Sequence, residues 1–253
     1  RGKGGSMYTF DARIRYSETD SKGRLTLESL LDYFQDCSTF HSEDLGIGVE
    51  YLRQQKLVWV LSTWQIVVNR FPRLCDQVTV GTFPYHFKGC FGYRNFFMRD
   101  AQGRDLACAN SLWTLLDTER FKPVYLNEEM LEKYTLEEKL PMEYDSHRIQ
   151  SKGEGHFEED IVVRPHHLDI NQHVNNGQYV RMAMEFLPEG FDIRQMRAEY
   201  RKQALLHDVL HPYILRQTSE RDNDVWVISL QDEKGGVYVN VEFEEREKGG
   251  VTV

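Results

Sequence analysis

A carboxylate, a carboxamide and an imidazole occur at alternate positions in the segment formed by Asp169, Asn171 and His173. An imidazole has an ordinary pKa of about 6.5, so His173 is suited to take a proton from water at neutral pH. The amide of Asn171 could orient that water or donate to a developing oxyanion. Asp169 could hold one histidine tautomer or anchor the loop. These residue types predict activation of a water molecule without a covalent nucleophile.

The residues that follow have the signals of a helix that would position this segment. Asn175 is a suitable N-cap, and Gln178, three residues later, could complete a capping box. The sequence predicts the helix over residues 177–187, ended by Pro188. Its predicted apolar face consists of Val180, Ala183, Met184 and Leu187.

The same residues also have structural interpretations. Asp and Asn ahead of a helix are commonly caps, and a histidine there is often only a hydrogen-bonding partner. His166, His167 and His173 lack the spacing of a standard zinc motif, so no metal is expected. Cys37 and His41 are four residues apart on a predicted helix and could pair as nucleophile and base. A buried structural cysteine is the favoured interpretation.

Composition excludes several classes of protein. The chain has 253 residues and a net charge of -9, which argues against general nucleic-acid binding. No apolar run approaches the ~20 residues of a membrane-spanning helix, so no membrane span is expected. The four cysteines are widely spaced, and free thiols in a reducing cytoplasm are expected. Residues 1–6 are expected to be an added tail, with no secretion signal.

Two similar series of elements follow one another along the chain. The first has a strand at 8–16, a helix from Leu27, and strands at 57–68, 77–87, 91–99 and 106–116. The second has a strand at 157–164, the helix, and strands at 196–205, 209–217, 225–231 and 237–245. A shift of 149 residues places Asp20 on Asp169, and a later shift of 131 places Arg70 on Arg201.

This order of elements predicts an α+β double hotdog, in which each of two copies wraps an antiparallel sheet around a helix. We expect an N-terminal hotdog at 7–118, a linker at 119–155 and a C-terminal hotdog at 156–247. Lys22 and Arg24 stand in the first copy where the second has Asn171 and His173. This difference predicts one working site per chain, although free drift of the loop would give the same pattern.

The string Asp-x-Asn-x-His-Val-Asn-Asn at 169–176, with Glu-Tyr-Arg at 199–201, resembles the acyl-ACP thioesterases of plant plastids and their bacterial relatives. Segments 57–60 and 67–72, and Ser-Leu-Trp at 111–113, resemble the first half of those enzymes. The resemblance implies hydrolysis of acyl-acyl carrier protein to free fatty acid, as part of fatty acid biosynthesis, without metal or cofactor.

The resemblance also implies functions for individual residues. Asp169, Asn171 and His173 match catalytic positions of the family. Gln203 and Ala204 stand where the plant pattern has Glu and Cys, so Gln203 would position water and no cysteine could act there.

The resemblance implies an acyl carrier protein as the partner, and other functions are also considered. Acyl carrier proteins are acidic, so we expect a basic docking patch, with Arg181, Arg201 and Lys202 as candidates. The N-terminal copy is expected to line the acyl pocket. An acyl-CoA thioesterase, a non-catalytic acyl-carrier or lipid-binding module and a hotdog dehydratase are the alternatives. The sequence leaves oligomeric state open, a homodimer included.

Overall fold

The structure is a computed structural model that describes residues 7–219, 221 and 223–247, so the expected tail lies outside the described residues. The chain forms two compact units. Of the described residues, the first unit comprises 7–62 and 69–144, and the second comprises 63–68 and those from 145 onward. Among the described residues, no helix combines the length and apolar character needed to cross a membrane.

The first part of the chain forms the elements β1 (Tyr8–Arg13), α1 (Leu27–Asp44), α2 (Val49–Gln54), β2 (Leu57–Val68), β3 (Gln77–Lys88), β4 (Phe91–Asp100), β5 (Asp105–Asp117), β6 (Lys122–Pro123) and α3 (Glu128–Lys133). In the first unit, antiparallel strands run in the order β1-β3-β4-β5, with β6 beside β5. Helix α1 packs against β1 and β3.

Helix α1 forms because its sequence supplies both a cap and an apolar face. The Thr26 hydroxyl accepts the Ser29 N–H at 3.2 Å, which satisfies one of the free donors at the helix start. Leu27, Leu30, Leu31 and Phe34 are buried at helical spacing. Each fully buried side chain of this kind stabilises the fold by about 1.5–3 kcal/mol, so the packing rather than helix propensity fixes α1.

The second part of the chain forms the elements β7 (His156–Phe157), β8 (Ile161–Val162), α4 (Asn176–Met184), β9 (Ile193–Tyr200), β10 (Val209–Thr218), β11 (Asp224–Gln231) and β12 (Val237–Glu245). In the second unit, the Thr63–Val67 part of β2 pairs with β9, and the order continues β9-β12-β11-β10-β7. Strand β8 also pairs with β10, and helix α4 packs against β11 and β12.

Each unit is therefore a helix packed on an antiparallel sheet, and the predicted α+β double hotdog is confirmed. Several predicted elements differ in extent. Strand β1 ends at Arg13 instead of residue 16, and β9 spans Ile193–Tyr200 instead of residues 196–205. The single strand expected at 157–164 is divided into β7 and β8, because their partner β10 contains Pro212, which has no N–H for a sheet hydrogen bond. Helix α4 ends at Met184 instead of residue 187, because the ring of Pro188 disfavours helical geometry at the residue that precedes it.

Candidate active site

One carboxylate holds the loop of residues 169–173, which we call the site loop. The Oδ1 atom of Asp169 accepts the N–H of Asn171 at 2.8 Å and that of His173 at 3.4 Å. The Asp169 N–H donates to the His173 carbonyl at 2.8 Å, so the loop closes on itself. Of the two functions considered for Asp169, this geometry supports the loop anchor.

Gln172 has left-handed backbone geometry, with φ of 62°. For a residue other than glycine this conformation costs about 1–2 kcal/mol. Strain of this kind persists only where surrounding bonds impose it, and it is concentrated at functional sites. The strained residue separates Asn171 from His173 and fixes the directions in which their backbones leave the turn.

The candidate base and water-positioning groups have room for a substrate or water. His173 is half-buried, whereas Asn171 and Gln203 are exposed. Across the described part of the chain, the side chains of these three residues make no hydrogen bond. Their polar atoms are therefore not consumed by caps or turns, in contrast to the Oδ1 atom of Asp169.

Backbone hydrogen bonds bring the segment that carries Gln203 to the site loop. The Val174 N–H, next to His173, donates to the Ala204 carbonyl at 3.1 Å. The Ala204 N–H donates to the Tyr179 hydroxyl at 2.8 Å. Tyr179 is buried on α4, and burial raises the pKa of its phenol to about 12, so the hydroxyl stays neutral.

Asn175 caps α4, as predicted. Its Oδ1 accepts the Gly177 N–H at 2.9 Å, and its carbonyl accepts the Gln178 N–H at 2.9 Å. The capping box expected from the Gln178 side chain does not form among the described residues. Because Asn175 already occupies these two amides, we expect Asn171 rather than the helix start to be the principal donor to an oxyanion.

The first unit contains the same loop with different side chains. In the counterpart loop, residues 20–24, Asp20 Oδ1 accepts the N–H groups of Lys22 at 2.8 Å and Arg24 at 3.1 Å. The Asp20 N–H donates to the Arg24 carbonyl at 2.8 Å. Gly23, with φ of 71°, takes the place of Gln172. These matching bonds give the predicted shift of 149 residues.

The later part of the repeat has a shift of 132, one residue more than predicted. The Arg73 N–H donates to the Asp76 carboxylate at 2.8 Å, as the Leu205 N–H donates to that of Asp208 at 2.8 Å. The Arg70 N–H donates to the carbonyl of residue 106, as the Lys202 N–H donates to that of residue 238. Arg70 therefore corresponds to Lys202 and not to Arg201.

The alternative pair Cys37 and His41 does not have the properties of a nucleophile and its base. Burial raises the pKa of the Cys37 thiol to about 12, which disfavours the thiolate. Burial, together with the charge of Arg94, lowers the pKa of His41 to about 4. Arg94 Nη1 lies 3.0 Å from His41 Nδ1, and because a guanidinium can only donate, Nδ1 is the acceptor. The structural interpretation of Cys37 is therefore preferred.

His167 has a local structural function beside the site loop. Its Nδ1 accepts the Arg164 N–H at 2.8 Å, and burial lowers its pKa. In the first unit, Glu18 accepts the Arg15 N–H at 2.9 Å in the corresponding place. No group of three or more His, Cys, Asp or Glu residues is arranged to hold a metal in the ranges that the structure describes.

Two of the three expected docking cations already have acidic partners. The Arg201 guanidinium lies 3.2 Å from Glu199, and Lys202 forms an ion pair with Asp232. Arg181 also takes part in a side-chain interaction. These ion pairs reduce the charge available at Arg201 and Lys202, so the expected patch is a weaker candidate than the sequence indicated.

Three residues that hold the site together are not among the residues predicted from the sequence. They are Tyr179, Gln172 and Tyr200, whose hydroxyl donates to the Asn176 carbonyl at 3.0 Å. A signal existed for the two tyrosines, because both lie in the segments that carry the family resemblance. The backbone conformation of Gln172 had a signal only in Gly23, its counterpart in the repeat.

The fold and the loop together define a double-hotdog protein with one polar site loop. Models of the acyl-ACP thioesterase N-terminal and C-terminal domains match residues 5–134 and 150–244, respectively. The chain therefore belongs to the acyl-ACP thioesterase family.

Similar proteins come from bacteria and plants. An acyl-ACP thioesterase from Bacteroides thetaiotaomicron superposes with a TM-score of 0.85 at 24% identity, over 95% of this chain and 98% of the other. The 12:0-ACP thioesterase from Umbellularia californica superposes with a TM-score of 0.84 at 22% identity, over 96% of this chain and 94% of the other. A chloroplastic palmitoyl-acyl carrier protein thioesterase from Arabidopsis thaliana is 25% identical over 81% of this chain. The match spans 54% of that relative, so the chain spans about half the length of the curated relatives it matches.

Proposed function

We propose that this chain hydrolyses the thioester of acyl-acyl carrier protein and releases a free fatty acid. The site loop carries the proposal, because Asp169 fixes its backbone while the side chains of Asn171 and His173 make no hydrogen bond to any described residue. Membership in the acyl-ACP thioesterase family supports the choice of substrate.

In the proposed reaction, His173 takes a proton from water while the water oxygen attacks the thioester carbonyl carbon. The carbonyl π electrons move to oxygen, and the Asn171 amide donates to this oxyanion. Gln203 holds the water by accepting one hydrogen bond and donating another. When the intermediate collapses, the C–S bond breaks and the imidazolium returns its proton to the leaving sulfur.

This assignment makes Asp169 a positioning residue. Its Oδ1 atom binds two backbone amides of the loop, so it acts on the directions of Asn171 and His173. Gln203 cannot replace His173 as base, because a carboxamide stays neutral across the working pH range.

Release of free thiol from acyl-ACP and from acyl-CoA, measured across acyl lengths, tests the function directly. Preferential turnover of acyl-ACP supports the proposal. Preference for acyl-CoA favours the alternative acyl-CoA thioesterase, and binding without hydrolysis of either favours the acyl-carrier or lipid-binding module. Shifts in preferred acyl length caused by substitutions in the first unit would support its proposed contribution to the acyl pocket. A cytoplasmic location and a homodimer stay predictions.

A further inference from the structure

The counterpart loop in the first unit has the same hydrogen bonds as the site loop but carries positive charge. In the second unit, four positions in or beside the site loop are occupied by residues other than lysine or arginine. These residues are Val162, Asn171, His173 and Leu205. The hydrogen-bond equivalences of the repeat place Arg13, Lys22, Arg24 and Arg73 at these positions in the first unit. All four therefore differ in the same direction.

Backbone contacts bring these cations, which we call the cationic face, into one region. Arg24 and Arg73 form an isolated antiparallel bridge, and the Leu74 N–H donates to the Gly23 carbonyl at 2.9 Å. Arg13 Nε donates to the Cys75 carbonyl at 3.3 Å, so the end of β1 lies beside the same turn. Segments distant in sequence thus present their charges together.

Much of this positive charge is available for a partner. Arg13, Lys22 and Arg73 are exposed, and within the described part of the chain none of them forms an ion pair. Arg24 lies 3.6 Å from Asp20, and its buried Nε has no hydrogen-bond partner among the described residues. Charges that are exposed in this way attract a partner at a distance and act mainly on association.

The carboxylates that hold the two turns do not cancel this charge. Asp20 and Asp76 accept backbone amides of the turns, and Arg15 is paired with Glu18 at 2.9 Å. The four cations of the cationic face therefore exceed the two turn carboxylates by two positive charges. The corresponding positions of the second unit carry two aspartates and no fixed cation. The whole chain has a net charge of -9, so the positive region is local.

We propose that the cationic face docks the acidic surface of the acyl carrier protein. Three of the four cations are exposed, at the end of β1 and in two separate turns, which fits an extended acidic protein surface better than a single phosphate. The proposal rests on the proposed function for its choice of partner. It assigns the counterpart loop a function in binding, whereas the site loop retains the chemistry.

Charge reversal separates docking from chemistry. Lys22→Glu combined with Arg73→Glu should raise KM for acyl-ACP about ten-fold or more at low salt, with kcat unchanged. Hydrolysis of acyl-pantetheine, which lacks the carrier protein, should not change. Arg120→Glu, an exposed arginine in the turn after β5, is the matched control and should leave both substrates unaffected.

Direct binding keeps this test independent of catalysis. The anisotropy of fluorescently labelled holo-carrier protein should show ten-fold weaker binding to the double variant than to wild type, with the difference decreasing at high salt. Binding equal to that of the Arg120→Glu control would overturn the docking proposal, even if acyl-ACP is hydrolysed. Intact, salt-sensitive docking in a protein that does not hydrolyse acyl-ACP would instead contradict the proposed function alone. Equal loss of activity on acyl-ACP and acyl-pantetheine would also overturn docking.

Discussion

The Tyr179 hydroxyl accepts the backbone N–H of Ala204 at 2.8 Å, in a place where both residues are buried. This bond joins α4, which begins directly after the site loop, to the segment that carries Gln203. A second bond, from the Val174 N–H to the Ala204 carbonyl, joins the same segment to the loop itself. Ala204 is thus the point at which the two parts of the candidate site are held together.

Tyr179→Phe should weaken the site without removing any group that contacts substrate. The buried Ala204 N–H would lose its acceptor, at a cost of about 1–3 kcal/mol in the free energy of unfolding. We expect kcat to fall several-fold with little change in KM, because Gln203 is less well positioned. Tyr200→Phe is the matched control and should cost less, since it removes only one donor to a helical carbonyl. Equal effects of the two substitutions would contradict the positioning function of Tyr179.

Gln203 should be needed for hydrogen bonding rather than for proton transfer. Gln203→Ala should lower kcat by roughly ten-fold or more, because a water would lose both a donor and an acceptor. Gln203→Glu keeps an acceptor and should be tolerated better. The measurement is the steady-state rate of thiol release at saturating acyl-ACP. An alanine variant as active as the glutamate variant would show that residue 203 does not hold the water.

The strained residue in the site loop can be tested against its counterpart in the repeat. Gln172→Gly should keep the free energy of unfolding within about 1 kcal/mol of wild type, because relief of left-handed strain offsets the greater freedom of the unfolded chain. Activity should nevertheless fall, since a looser turn no longer fixes Asn171 and His173. The reciprocal change Gly23→Gln should destabilise by about 1 kcal/mol and leave kcat unchanged. Unchanged activity of Gln172→Gly would argue against a positioning function of the strained turn.

The buried His41 should make the first unit sensitive to acid. Its pKa is lowered to about 4, so the unfolded chain binds a proton that the folded chain does not between roughly pH 6.5 and pH 4. The contribution of neutral His41 to the free energy of unfolding is therefore fully present above about pH 6.5 and is lost as the pH falls through this range. The free energy of unfolding decreases by about 3 kcal/mol over the whole range. Protonation would place two cations together, since Arg94 Nη1 lies 3.0 Å from the ring.

Thermal unfolding measured between pH 4 and pH 7 tests this prediction. His41→Gln keeps an acceptor for Arg94 and should flatten the loss of Tm on acidification. His86→Gln removes an exposed histidine and should leave the wild-type pH dependence in place. A wild-type slope in His41→Gln would assign the acid sensitivity to other groups.

Local sequence signals predicted those parts of the fold that depend on local chemistry. Strands β2 and β12 have the predicted limits, and Asn175 is the helix cap that its side chain indicated. The divided strand β7/β8 could not be predicted from its own residues, because its cause, Pro212, lies on the neighbouring strand. Propensity describes a segment, whereas pairing depends on a partner that is distant in sequence.

The sequence predicts the residue types of the candidate site better than the contacts that hold these residues in place. The alternation of Asp169, Asn171 and His173 identified the loop, while the functional assignment of these residues stays a prediction. The anchoring by Tyr179 and the ion pair between Lys202 and Asp232 join residues 25 and 30 positions apart. Such contacts follow only from the folded topology. The sequence therefore does not reveal that two residues of the expected basic patch, Arg201 and Lys202, have acidic partners.

The assignment of His173 as the base is tested most directly by the single-turnover rate of thiol release from acyl-ACP by His173→Ala, compared with Arg24→Ala at the equivalent position of the first unit. We expect His173→Ala to lower the rate of the chemical step by roughly 10²–10⁴ while the protein stays folded. Arg24→Ala should change the apparent affinity for acyl-ACP but not the rate at saturation. Near-wild-type turnover by folded His173→Ala would contradict the assignment of His173 as the base.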